Sequence, residues 1–365
     1  MKKGATPTDG GSTSLAKSSV LALAVTMGDA AGVGPELCVR LLNEKSWPEN
    51  SLPIVFGDAR ILERVAKGMG VSLNVPTVTQ IPEPLVGPII FDLHEAFAGL
   101  TITPGRNQAA CGKAAERFIQ EAVKSCQDRK CSALVTAPIS KKALSLAGIE
   151  FPGHTEMIAS LTRCERFAML LYSEEKKLAV AHATSHQPLS TVAASLTIER
   201  IVLVATLLNQ HLKLLRECAA PRIAVLGLNP HAGEEGLFGD DEERLIRPAV
   251  QRIRALGIDV EGPLPPDSAF TPHALARFDG HVALYHDQGG IPFKMMAFDS
   301  GVNVTMGLEI IRTSPDHGTA YDIAWQGKAN PDSFFSAYTL AARLATANLR
   351  GMASRRPSSR RMVAQ

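Results

Sequence analysis

The chain has 365 residues, 45% of them apolar and 20% charged, with a formal net charge of +2. That length suits two domains of ordinary size, and the balance is that of a water-soluble globular protein. Near-zero charge and only 5% aromatic residues argue against nucleic acid or an anionic membrane as partner.

Residues 1–19 are rich in Gly, Ser, Thr and Lys without periodicity and are expected to be a disordered lead. Leu21–Thr26 follows as a short apolar run. Gly28, Asp29 and Gly32 interrupt it too soon for a signal peptide, so it reads as a first buried strand. Further strands are expected at Leu52–Phe56, Ser132–Thr136, Ala168–Tyr172, Lys177–Thr184, Arg222–Leu228 and His281–Tyr285. Helical spacing appears at Pro35–Leu42, Ala109–Ser125, Ile198–Leu215, Ile246–Leu256 and Phe334–Ala347. Buried strands alternating with helices predict an α/β protein with a largely parallel sheet. No run reaches the roughly 18 apolar residues of a transmembrane helix. A basic tail, 350–365, closes the chain with Arg355, Arg356, Arg360 and Arg361. The cysteines Cys38, Cys111, Cys126, Cys131, Cys164 and Cys218 form no CxxC pair, which points to free thiols and a cytoplasmic setting.

Ligands in open α/β sheets bind beyond the carboxyl ends of strands, and the polar residues of this chain collect there. His186, His231 and His286 each follow an apolar strand. Three neutral imidazoles plus a water or substrate oxygen make an open site for a divalent ion, although each could instead hydrogen-bond within a loop. His154 and Thr155, after Gly153, suit an oxyanion; equally, Thr155 could cap a helix whose dipole favours Glu156. Lys294, Asn303 and Arg312 recur every nine residues, two of them charges set among apolar neighbours. Such charges suit a phosphate or carboxylate, or else pair internally with an acid such as Asp287 or Asp316. The loop Gly28-Asp-Ala-Ala-Gly-Val-Gly-Pro-Glu36 matches a dinucleotide fingerprint poorly. Glu234, in a second glycine-acid loop, reaches a ligand or faces water.

Taken together, GDAAGVGPE, VTAPISKKAL, GIEFPGHTE, LNPHAGEEGLFG, GPLPPDSAF, YHDQG, GVNVTMGL and IRTSPDHGTAYDIA make the chain resemble the 4-hydroxythreonine-4-phosphate dehydrogenase family of vitamin B6 biosynthesis. These segments run from about residue 20 to 348. The resemblance implies an isocitrate/isopropylmalate dehydrogenase-like fold: two α/β/α domains, 20–135 with 325–349 and 136–324, and a site in the cleft between them. It implies His186, His231 and His286 as metal ligands, with His286 supplied across a homodimer interface. His154, Thr155, Lys294, Asn303 and Arg312 fall on substrate positions, and Asp267 and Asp287 become candidates for supporting or relaying protons. The implied cofactors are NAD or NADP and a divalent metal, zinc or alternatively cobalt or magnesium. The implied reaction oxidises 4-phosphohydroxy-L-threonine, whose β-keto acid product loses CO2. Ala30 stands where the family usually has proline, which is more like the relatives acting on phosphorylated threonate or erythronate; Ser185 also departs mildly. Outside the dehydrogenases, a metal-dependent phosphohydrolase or a phosphometabolite-binding protein could use similar residues.

Overall fold

The computed structural model describes residues 20–97 and 100–354; the expected N-terminal lead and the arginines from Arg355 onward lie outside the described residues. The strands are β1 (Leu21–Thr26), β2 (Ser51–Gly57), β3 (Thr77–Val78), β4 (Ile89–Asp92), β5 (Ala133–Thr136) and β6 (Ala168–Ser173). They continue as β7 (Leu178–His182), β8 (Ile223–Leu226), β9 (Val260–Leu264), β10 (Gly280–Ala283), β11 (Val302–Met306) and β12 (Arg312–Pro315). The helices are α1 (Gly34–Leu42), α2 (Ala59–Gly68), α3 (Ala109–Gln127), α4 (Lys141–Leu146), α5 (His154–Leu161) and α6 (Leu189–Ser195). After them come α7 (Ile198–Leu215), α8 (Arg247–Ala255), α9 (Pro272–Leu275), α10 (His286–Ala297) and α11 (Asp332–Ser354).

All the strands join one sheet in the order β3-β4-β2-β1-β5-β12-β11-β6-β7-β10-β8-β9. From β3 to β12 every pairing is parallel, and so is every pairing from β7 to β9. Between these blocks β11 runs antiparallel to both β12 and β6, and β6 antiparallel to β7. The sheet is therefore largely parallel, as expected, but has an antiparallel seam. It crosses the expected division at 135/136 without a break, and β12 hydrogen-bonds directly to β5.

Strands covered on both faces need apolar residues at successive positions, and β5, β7 and β8 are buried at every residue. The long helices are fixed at their starts: Asp58 accepts from the Arg60 and Ile61 amides to begin α2, and Thr197 accepts from Arg200 N to begin α7. A small apolar cluster of Leu171, Val180, Ala283, Phe293 and Ala297 clamps α10 onto β6, β7 and β10. Two expectations are corrected. The segment at His286 is the first turn of α10 rather than a loop, and α11 runs on to Ser354, past the expected tail boundary at Arg350. Among the described residues no single helix is long and apolar enough to cross a membrane; the apolar neighbours α6 and α7 meet at 95°.

His281 in β10 is buried, its ring stacked on Phe270 at 4.9 Å and Nε2 lying 3.1 Å from Ala269 O. Burial pulls its pKa down to about 4, against roughly 6.5 in an unfolded chain. Between those values the unfolded chain takes up a proton that the native ring refuses. The contribution of His281 to native stability is therefore complete above about pH 6.5 and is lost as pH falls toward 4. His281→Phe should show a shallower loss of urea-unfolding free energy from pH 7.5 to 5, by about one proton's worth of slope; an unchanged slope would contradict this account.

Candidate active site

On one face of the antiparallel seam lies a cavity of about 320 Å³. Its floor is Met169 and Leu171 of β6, Asn303 of β11, and Arg312 and Ser314 of β12; its walls are the start of α5, helix α10 and the segment 315–318. Because side chains alternate along strands, the pairing of Asn303 with Leu171 and Ser314 sets these residues side by side.

Arg312 dominates the electrostatics. It is 2% exposed, and its hydrogen bonds go only to neutral oxygens: Thr136 Oγ1 at 2.8 Å, Thr305 Oγ1 at 3.1 Å and Asn303 Oδ1 at 3.5 Å. Among the described residues it forms no ion pair, and its Nε is buried without a partner. Desolvation lowers its pKa to about 10, opposed by the charge of Glu156. His154, the first residue of α5, also has a buried and unpartnered Nε2. Burial and the neighbouring Arg312 push its pKa well below the usual imidazole value. A buried cation with unfilled donors is costly unless an anion completes it. The arrangement suits an anion. Lys294 behaves differently: its Nζ lies 3.3 Å from Asp316 Oδ2, the internal pairing that its sequence also allowed. Burial raises the pKa of Asp316, with Lys294 opposing.

On the other side of the cavity the rings of His186 and His286 lie 5.6 Å apart. Thr184 Oγ1 donates to Leu284 O at 2.7 Å, tying the His186 loop to the end of β10. Gln288 accepts from Leu284 N and donates to Gly227 O, both at 2.7 Å, and so fixes the first turn of α10 between two strand ends. His286 Nδ1–H donates to Asp287 Oδ1 at 2.6 Å, leaving Nε2 as the free lone pair. His231 has a similar neighbour, with Nδ1 4.0 Å from Asp267 Oδ2. Its backbone takes a left-handed φ of 53° in the turn after β8. The buried Glu242 holds that turn in place by accepting from Leu228 N at 2.7 Å, Asn229 N at 2.8 Å and Asn229 Nδ2 at 3.0 Å. His231 is not in the cavity, and among the described residues of one chain no group of three His, Cys, Asp or Glu side chains could hold an ion.

Thus one chain gathers His154, Thr155, His186, His286, Lys294, Asn303 and Arg312, and leaves His231 with Asp267 outside. Thr155 does not cap α5: Gly153 occupies the cap position and Thr155 is the second helical residue. Glu234 is exposed. The loop Gly28–Glu36 is filled with protein, since a Cβ at Gly32 would lie 2.8 Å from Thr319 O. Asp29 in that loop accepts from Ala31 N at 2.8 Å and from Tyr321 Oη at 2.7 Å. Sequence reasoning singled out neither Lys141 nor His317 for this cavity, although VTAPISKKAL and RTSPDHGTA carried them.

The family described as "Pyridoxal phosphate biosynthetic protein PdxA" matches residues 49–341. The chain belongs to this family. It is 42% identical over 327 residues to D-threonate 4-phosphate dehydrogenase of Salmonella typhimurium, covering 88% of this chain and 98% of that protein. It is likewise 42% identical over 327 residues to 4-hydroxythreonine-4-phosphate dehydrogenase of Desulforapulum autotrophicum, covering 89% and 95%. The crystal structure of 4-hydroxythreonine-4-phosphate dehydrogenase from Klebsiella pneumoniae superposes with a TM-score of 0.75 at 39% identity, covering 89% of this chain and 99% of that one.

For this member of the PdxA family, the buried Arg312 is a liability in the empty protein and an asset with an anion present. Arg312→Met should leave the apo melting temperature unchanged or higher, while affinity for a phosphorylated ligand falls by about 100-fold or more. A large loss of apo stability would instead make Arg312 a structural residue.

Proposed function

We propose that the chain is an NAD(P)-dependent, divalent-metal-dependent dehydrogenase of 4-phosphohydroxy-L-threonine, working in the cytoplasm as a homodimer with shared active sites. The observation that carries this reading is the cavity at the seam, where an uncompensated Arg312 and an unfilled His154 face the His186–His286 pair. The donor set fits a phosphate at one end and a divalent ion at the other. In this reading the lobes 20–135 with 325–349 and 136–324 flank the cleft.

Arg312, His154, Thr155 and Asn303 anchor the phosphate; Lys294, held by Asp316, adds a cation at the same end. Asp287 fixes the tautomer and direction of His286, and Asp267 is placed to do the same for His231. Once bound, zinc (or cobalt or magnesium) held by His186 and His286 of one chain and His231 of a second copy would acidify the substrate hydroxyl, and the nicotinamide would accept the hydride. The fixed phosphate and the fixed imidazoles hold the reacting carbon in one place, which lowers the entropic part of the barrier. The product, 2-amino-3-oxo-4-phosphohydroxybutanoate, has its ketone β to the carboxylate and can lose CO2 to give 3-amino-2-oxopropyl phosphate.

The homodimer is supported by an exposed apolar stripe on α10 itself: Ile291 is 58% exposed, Met295 82% and, at its end, Phe298 64%. Their spacing of four and three residues puts them on one face, beginning one turn after His286. A second reading, oxidation of 4-phospho-D-threonate or erythronate, is favoured by Ala30 and by the Salmonella relative. Both differ from a phosphohydrolase in an observable way, because substrate would reduce NAD(P) without releasing inorganic phosphate.

Subunit mixing tests the shared site. His231→Ala and His286→Ala should each be inactive, and a refolded mixture should regain about a quarter of wild-type NAD(P) reduction, since half the dimers are mixed and each has one intact site. No recovery would mean that both histidines act within one chain. Chelation should abolish turnover and zinc or cobalt restore it; activity persisting without metal would remove the metal from the mechanism.

A further inference from the structure

Two charged residues of the cavity remain without a role. Lys141, the first residue of α4, and Glu156, in the first turn of α5, both line it. Among the described residues neither side chain makes a hydrogen bond or has an ion-pair partner within 4 Å, so they do not neutralise each other. They flank Gly153: a Cβ there would lie 3.6 Å from Glu156 Oε2 and 3.9 Å from Lys141 Cε. The glycine leaves a gap between two opposite charges that both open onto the site.

Both line the same cavity as Arg312, His186 and His286, on either side of Gly153. Glu156 follows His154 and Thr155 on the first turn of α5 and acts on Arg312 through space, so it lies within reach of the anion end. A carboxylate in that position raises the cost of binding a ligand whose charges are all negative. A phosphorylated acid that also carries an ammonium group offsets this cost.

We propose that Lys141 and Glu156 are specificity residues that read the zwitterionic end of the substrate, Lys141 taking its carboxylate and Glu156 the ammonium on the carbon beside the reacting hydroxyl. The inference rests on the dehydrogenase reading above and selects, within it, an α-amino acid over a sugar acid. The geometry agrees in order along the chain of the ligand. With the phosphate at Arg312 and the hydroxyl at His186 and His286, the two remaining substituents are left to Lys141 and Glu156, the other charges in the cavity without an ion-pair partner among the described residues.

The test uses metal-loaded wild-type dimer and the variants Glu156→Gln, Glu156→Asp and Lys141→Met, with 4-phosphohydroxy-L-threonine and 4-phospho-D-threonate as probes. Binding is measured by calorimetry without nicotinamide, and turnover by NAD(P) reduction. Glu156→Gln should weaken binding of the amino acid, and raise its KM, by about tenfold or more, while lowering the KM for the sugar acid. Glu156→Asp should retain the preference for the amino acid, which separates charge from folding. Lys141→Met should weaken both ligands by similar factors, because both carry the carboxylate. Equal shifts for the two ligands with Glu156→Gln, or no preference in the wild type, would overturn the pair while leaving the dehydrogenase intact. Preferential, Glu156-dependent binding without NAD(P) reduction would support the pair and overturn the dehydrogenase.

Discussion

The site is organised around a guanidinium that the protein does not neutralise. Arg312 enters at the first position of β12, where the sheet passes from its parallel to its antiparallel part, and is held by Thr136 of β5 and by Thr305 and Asn303 of β11, the strands on either side. Hydroxyls and an amide can aim a cation, but they cannot repay the cost of burying it. Placing an acid beside Arg312 would have stabilised the empty protein and blocked the cavity. The acids lining the cavity are kept off it: Asp316 is engaged by Lys294, and Glu156 acts on Arg312 only through space. Stability is given up at this point so that an incoming anion completes the charge balance.

The fold makes such an arrangement possible by changing strand direction. A wholly parallel sheet would put every carboxyl end, and hence every strand-to-helix loop, at one edge. At the seam, β11 and β12 run side by side in opposite directions, so Asn303 and Ser314 pair across the ladder and face the same cavity as Leu171. Helix α10 then lies over that face, and its close approach depends on one residue. A Cβ at Gly289 would come within 2.8 Å of Ala283 Cβ and 2.9 Å of His182 Nε2. Without that contact His286 and Lys294, two turns apart on the same helix, could not both reach the cavity.

The same residues explain what was legible in the sequence. Strands β1, β5, β6 and β8 and helices α1, α3, α7 and α8 announced themselves, because apolar runs and helical spacing are local signals. Helix α10 did not, since Gly289, Gly290 and Pro292 are poor helix formers and its stability comes from packing Phe293 and Ala297 into the sheet. Strands β11 and β12 were equally silent: Asn303, Thr305 and Arg312 interrupt them for the sake of the site. For Lys294 and Arg312 the sequence offered a ligand or an internal ion pair, and the structure divides the answer, pairing Lys294 with Asp316 and leaving Arg312 unpaired. Lys141 and Glu156 could not have been distinguished from solvated helix-end charges until α4 and α5 were brought together across Gly153.

The histidines carry the remaining asymmetry. His286 is oriented by Asp287 and lies in the cavity, while His231 stands beside Asp267 and outside it, on a strained turn that Glu242 takes pains to hold. A loop histidine of no consequence would not need a buried carboxylate accepting three hydrogen bonds to fix the backbone beneath it. The effort spent on His231 is intelligible if its partner atoms come from outside the chain. The apolar stripe of α10 gives the same indication from the other direction, because Met295 and Phe298 would be covered by the contact that completes the site. On the proposed reading association and catalysis would depend on one helix, whose start would supply the imidazole and whose outer face the adhesion.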